Sequence, residues 1–298
     1  MDVSLALKKR GLTLIQNLFE ELRMGKRADV TIAEKWIDDL ITEISQKSEG
    51  KLNLVLNTGI ADYVFAHSVN VALLSTIMAN KMSISGLELK EIGLGALLHD
   101  IGKINTPDDL MWKQTGLTPY EVTTIREHPV FGSHWLATNS TVSEEVASIV
   151  KDHHETFDGK GYPAGVSDRD FSSGVKIVAI CNYFSFLTSK NPDSEPMKER
   201  EVCFIISQLV NKTFSLKIVM DFLNYMGPMI LDGPLFQKTA LLLLDTKEVA
   251  AVMKTESFGD LYPEIMILTN SKGMKLPRPL VISLKNDKSR KILKILKG

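Results

Sequence analysis

His153-His154-Glu155-Thr156-Phe157-Asp158-Gly159-Lys160-Gly161-Tyr162-Pro163 is the stretch from which the rest of the chain can be read. Two adjacent imidazoles close an apolar helical pattern over 142–154 and open a loop holding two glycines and a proline. Glycine lets backbone come close to a ligand. Tyr162 can stack on a base or donate to a phosphate. Upstream, His99-Asp100-Ile101-Gly102-Lys103 ends a second apolar run, 92–98. Neighbouring residues on a helix point about 100° apart, so Asp100 need not chelate the ion that His99 holds and can instead bridge two ions. Lys103 shares their helical face. While protonated it cannot ligate, but it can hold a phosphate or protonate a leaving oxygen. With His67 in the helical stretch 62–79 and His128 just before Pro129, five of the six histidines fall in an order that suits a metal site. His134 is left outside it.

Imidazole together with carboxylate suits iron, manganese or zinc better than calcium or magnesium. A metal pair held this way can make hydroxide from water at neutral pH and clamp a phosphate. The frame around the histidines reads as mainly α. Residues 1–50 predict two amphipathic helices, with Leu5, Leu12, Ile15, Leu18, Phe19 and Leu22 on one stripe and Ile32, Trp36, Ile37, Leu40, Ile41 and Ile44 on the other. These stripes either pack on the main domain or form the seam of a homodimer. Residues 51–226 predict helices over 61–81, 86–102, 118–137, 142–154, 174–189, 197–211 and 215–225, punctuated by proline and glycine. Residues 227–298 predict a small β meander from the apolar runs 240–244, 248–253, 264–268 and 280–284, of which the first could equally be helical. The basic end, 285–297, reads as a solvated tail.

Composition narrows the class. The chain has 298 residues, is 44% hydrophobic and 24% charged, and carries a formal net charge of -1. That is ordinary for a globular protein and supplies no global field for nucleic acid. Cys181 and Cys203 are the only cysteines, too few for a disulfide framework, so a cytoplasmic setting is expected. No apolar run reaches the ~20 residues of a membrane span.

On His67-Ser68-Val69-Asn70-Val71-Ala72, Leu97-Leu98-His99-Asp100-Ile101-Gly102-Lys103, His128-Pro129 with Gly132, and the whole 153–163 motif, the chain resembles the HD-GYP family of phosphohydrolases. The resemblance runs over about 62–192. It implies a helical bundle carrying two or three metals, commonly iron or manganese. It also implies a phosphodiesterase that hydrolyses cyclic di-GMP to linear pGpG, GMP or both, through a metal-bridging hydroxide. Carried over, His67, His99 and Asp100 hold one ion, and Asp100 bridges to a second held by His128, His153 and His154. Lys103 contacts the scissile phosphate, and Gly159, Gly161 and Tyr162 shape the mouth of the site. Three-metal members have a glutamate where this chain has Tyr63, so the resemblance implies two ions. Diguanylate cyclase domains are the kind of protein partner it suggests.

Three departures matter. The aspartate that completes the first ion's shell is Asn182 here, whose amide oxygen can ligate but brings no charge. The aspartate three residues later is Ser185. The family's phosphate-gripping arginine falls in a segment that here reads Asn191-Pro192-Asp193. Lys190 or Lys176 can stand in for it, without the bidentate fork. These departures leave open an alternative: a weakened member serving as a cyclic-dinucleotide receptor or as an adaptor for protein partners.

Overall fold

The structure is a computed structural model describing residues 3–26, 29–47, 50–55, 63–107, 110, 113, 116–167, 171–191 and 194–297. Its helices are α1 (Leu5–Arg23), α2 (Thr31–Ser45), α3 (Tyr63–Lys81), α4 (Gly86–Leu98), α5 (Pro119–Arg126), α6 (His128–Asn139), α7 (Glu144–Asp152), α8 (Ser173–Thr188), α9 (Glu199–Gln208) and α10 (Leu216–Ile230). A 3-10 turn, Ile101–Asn105, follows α4. Among the described residues, none of the helices is long and apolar enough to cross a membrane. The chain divides into two compact units, Met1–Val219 and Met220–Gly298.

The first unit is built around α3. From Tyr63 to Ala79 every residue but Phe65 is buried, the mark of a helix enclosed on all sides. It packs on α1, α4 and α8, and Phe65 meets Phe19 of α1 edge-on at 5.4 Å. The hairpin of α1 and α2 closes on Trp36, whose indole N–H donates to the Leu7 carbonyl at 2.9 Å. Gly11 makes room for it, since a Cβ there would lie 2.7 Å from the indole. Most of both N-terminal stripes is therefore buried within the chain. Leu5 and Ile32, expected on those stripes, are instead 67% and 60% exposed.

Where helices stop matters more than where they run. The sequence expectation of one helix over 118–137 is corrected: α5 ends at Arg126 and α6 starts at His128. Thr118 and Glu121 form a capping box that starts α5. Pro129 lacks an N–H and disfavours a continuous turn before it, so the chain restarts there with His128 at the new first position. The expected helix 86–102 likewise ends at Leu98, and Asp100 begins the tighter turn. Gly102 lets that turn lie against α6: a Cβ would sit 1.9 Å from the His128 carbonyl oxygen and 2.6 Å from Gly132 N.

The second unit carries a five-stranded antiparallel sheet in the order β4-β3-β2-β1-β5. The strands are β1 (Leu241–Leu244), β2 (Val249–Lys254), β3 (Glu264–Thr269), β4 (Lys275–Ser283) and β5 (Ile292–Lys297). Leu242, Ala250 and Ile267 lie in register across it and are buried. The run 240–244 is thus a strand, and the basic end is not a free tail. Ile292, Leu293, Ile295 and Leu296 set an apolar pattern among the lysines, and β5 returns to pair with β1.

The Gly102 approach yields a stability prediction. Gly102→Ala forces the turn off α6 and should cost about 1–3 kcal/mol, the usual range for overpacking. Calorimetry would show this as a lowered Tm, and an unchanged Tm would rule out the close approach.

Candidate metal centre

His99, His128 and His153 are mounted by one device. The last carbonyls of a helix have no intrahelical partner, and each of these imidazoles sits three residues beyond such a carbonyl. His99 Nδ1 donates to Ala96 O at 2.8 Å, His128 Nδ1 to Ile125 O at 2.7 Å, and His153 Nδ1 to Val150 O at 2.8 Å. A carbonyl only accepts, so the proton is on Nδ1 and each Nε2 presents a lone pair. This is the tautomer that metal-binding histidines hold through their outer hydrogen bond.

Those lone pairs converge. His128 Nε2 and His153 Nε2 lie 3.4 Å apart. His128 Nε2 lies 3.2 Å from Asp100 Oδ1, and His99 Nε2 lies 3.4 Å from Asp100 Oδ2. Among the described residues, His99 Nε2 and Asp100 Oδ1 are buried without a hydrogen-bond partner. Acceptors facing one another, with no proton between them, repel unless a cation joins them, and buried orphaned acceptors are rare. The donor set therefore fits divalent ions. Its atoms fall into two groups, each within 4.8 Å: Asp100, His128, His153 and His154 in one, and His67, His99 and Asp100 in the other. Asp100 belongs to both.

The charge states agree. Burial pushes the His67 pKa down to about 3, helped by His99, and burial also lowers His99, His153 and His154. All four are neutral at physiological pH. Burial opposes ionisation of Asp100, but the Lys103 ammonium beside it holds the carboxyl well below its usual range. Lys103 Nζ lies 2.6 Å from Asp100 Oδ2, with its side chain 21% exposed.

His67, in the second turn of α3, is held differently. Its Nδ1 lies 2.9 Å from Ser185 Oγ and its Nε2 lies 2.8 Å from Asn182 Oδ1, both on α8. Tyr63 stacks on the same ring, 5.2 Å away. At the other end of the cluster Tyr162 stacks on His154 at 4.5 Å.

The loop bearing Tyr162 is tied by a residue that sequence reasoning passed over. Glu155 accepts N–H bonds from Ala164, Gly165 and Val166 at 2.6, 3.0 and 3.2 Å. Gly161 packs against the histidine pair's backbone, where a Cβ would lie 2.4 Å from His154 O. Gly159 takes φ +71, and the Tyr162–Pro163 peptide is cis. Arg126, also passed over, places its guanidinium carbon 5.0 Å from the centre of the Tyr162 ring.

Lys190 is 47% exposed, with Nζ 3.4 Å from Glu195. Asn191 is buried and serves the backbone: its amide donates to Phe186 O and Ser189 O and accepts from Ser194 N–H. Pro192 and Asp193 lie outside the described residues. His134 is exposed on α6 and belongs to neither donor group.

An HD domain family model matches residues 54–214. A cyclic di-GMP phosphodiesterase of Pseudomonas aeruginosa is 26% identical over 92% of this chain and 64% of its own length. A cyclic di-GMP phosphodiesterase of Thermotoga maritima is 35% identical over 53% of this chain and 43% of its own. The chain thus spans less than two thirds of the length of these curated relatives. Among solved structures, an HDG"Y"P protein from Bdellovibrio bacteriovorus shares the fold with a TM-score of 0.53 and 18% identity, over 72% of this chain and 69% of that one. The model match over more than half of the chain places this protein in the HD domain family, and the motifs at His99-Asp100 and Gly161-Tyr162-Pro163 are those of its HD-GYP branch.

Proposed function

We propose that this protein is a metal-dependent phosphodiesterase that opens cyclic di-GMP to linear pGpG, GMP or both, acting in the cytoplasm. The observation that carries this reading is the pair of donor groups sharing Asp100, with buried acceptor atoms that no other described residue satisfies. His67, His99, Asp100 and Asn182 would hold one divalent ion, and Asp100, His128, His153 and His154 a second. Iron or manganese suits these donors best. When bound, such a pair supplies Lewis acidity toward phosphate oxygens and hydroxide at neutral pH.

The chain's own groups do the rest. Asp100, ionised and shared, fixes the spacing of the two groups. Lys103 brings a cation beside them that offsets the negative charge growing on the phosphate and supplies a proton to the departing ribose oxygen from Nζ. Tyr162 offers a ring against which a guanine can stack. The backbone at Gly159 and Gly161 lets the substrate approach without a side chain in the way.

A second reading rests on Asn182. An amide in place of a carboxylate removes one negative charge from the first group, which weakens its hold on an ion. On this reading the protein binds a cyclic dinucleotide, or a protein partner, without cutting.

Purified protein loaded with manganese or iron should release linear product from cyclic di-GMP, and Asp100→Ala should release none above background on chromatography of the products. Equal product from both would sink the enzyme reading. Asn182→Asp separates the two readings. If the parent holds metal but is inert, and the variant turns over, the amide has silenced the site. If both turn over, the amide is a working ligand. Ser185→Ala should weaken metal affinity by about 10–100-fold, the usual loss when a group orienting a ligand is removed. Metal analysis after dialysis would register this, and unchanged metal content would deny Ser185 that role.

A further inference from the structure

We propose that Arg126 is a substrate-binding residue that grips the second, non-reacting phosphate of the cyclic dinucleotide; this rests on the phosphodiesterase reading above. A cyclic dinucleotide carries two phosphates, and the donor groups around Asp100 and Lys103 serve one of them. The other, across the macrocycle, needs a cation at the rim of the site. At Asn191 the chain offers a buried amide spent on backbone, and Lys190 lies against Glu195.

Arg126 meets the requirement from another element. It is exposed at the end of α5, two residues before His128. Its guanidinium lies 5.0 Å from the centre of the Tyr162 ring, and that ring stacks on His154 at 4.5 Å. One tyrosine thus holds a metal-group histidine on its ring and orients an arginine beside it. Contact of a guanidinium with an aromatic face limits its motion and leaves its N–H donors free. Among the described residues no carboxylate pairs with Arg126, so the donors remain available to an anion. Guanidinium presents a planar fork that matches two phosphate oxygens at once. The break between α5 and α6 places both Arg126 and His128, so the feature that sets a donor at the centre also sets a cation at the edge.

A purely structural role predicts something different. If Arg126 served only to hold Tyr162, its loss would disturb the metal groups and slow every substrate alike. The test is therefore a comparison of substrates. Metal-loaded parent, Arg126→Met and Arg126→Lys would be assayed with cyclic di-GMP and with bis(p-nitrophenyl) phosphate, a diester with one phosphate. Methionine keeps a contact with the tyrosine ring, and lysine keeps the charge without the fork. In Arg126→Met the KM for cyclic di-GMP should rise roughly tenfold or more, as expected for a lost charge-assisted hydrogen bond, with kcat changed by less than about threefold. The preference in kcat/KM for cyclic di-GMP over the single-phosphate diester should fall by a similar factor, and Arg126→Lys should recover part of it. An unchanged preference, whether both substrates decline together or neither does, overturns the assignment of Arg126 and leaves the phosphodiesterase reading standing. Parent protein that cleaves the simple diester but neither binds nor cleaves cyclic di-GMP overturns that substrate and the Arg126 proposal with it.

Discussion

The buried Asp100 carboxylate is the constraint on which the first unit depends. A lone carboxylate taken out of water loses several kcal/mol of hydration, and this one is 1% exposed. Lys103 covers one oxygen, and His99 and His128 approach from α4 and α6. Neutral imidazoles whose protons are committed elsewhere cannot satisfy a carboxylate. The charge is therefore tolerable only where further positive charge is expected. A fold that buries Asp100 among unprotonated nitrogens is organised around a cation.

That organisation is paid for in helix ends rather than in side chains. Three of the imidazoles are held by carbonyls that exist only because a helix stops. Pro129 stops one, and the 3-10 turn beginning at Asp100 stops another. Gly102 and Gly132 then bring the two stops together, because only bare backbone fits where that turn meets α6. Local sequence, helix termination and donor geometry are thus one chain of cause, and the apolar α3 supplies the rigid wall behind it.

Much of this is legible in the amino-acid sequence. Residue type and spacing pointed to the histidines and Asp100, and apolar periodicity pointed to the helices. What could not be read has physical reasons. The division at Glu127 lies behind a helical pattern that continues through Pro129, so periodicity alone does not report the restart at His128. Strand β5 is hidden by its lysines, of which Lys294 faces water while Ile292 is buried. Glu155 sat inside the motif, but its three N–H partners lie nine to eleven residues ahead, a reach that no local pattern reports. Arg126 meets Tyr162 only because the end of α5 comes against the loop after α7. Asn191 read as a lost arginine, whereas the structure shows an amide that ties down the chain after α8.

The two donor groups differ in how firmly their protons are placed. In the group of His128 and His153, carbonyls dictate the tautomers, since a carbonyl cannot return a proton. His67 has no such dictation. Ser185 Oγ can give or take a proton, and Asn182 Oδ1 can accept one from Nε2. His67 can therefore satisfy itself against α8 in a way that His128 and His153 cannot satisfy one another. A carboxylate at position 182 would leave an unbalanced charge that a cation or a protonated imidazole relieves, whereas the neutral amide is satisfied by a hydrogen bond from His67. The pull toward an ion is accordingly strongest on the side of Asp100, His128, His153 and His154. The strength of the other half depends on how readily Asn182 gives up its bond to His67.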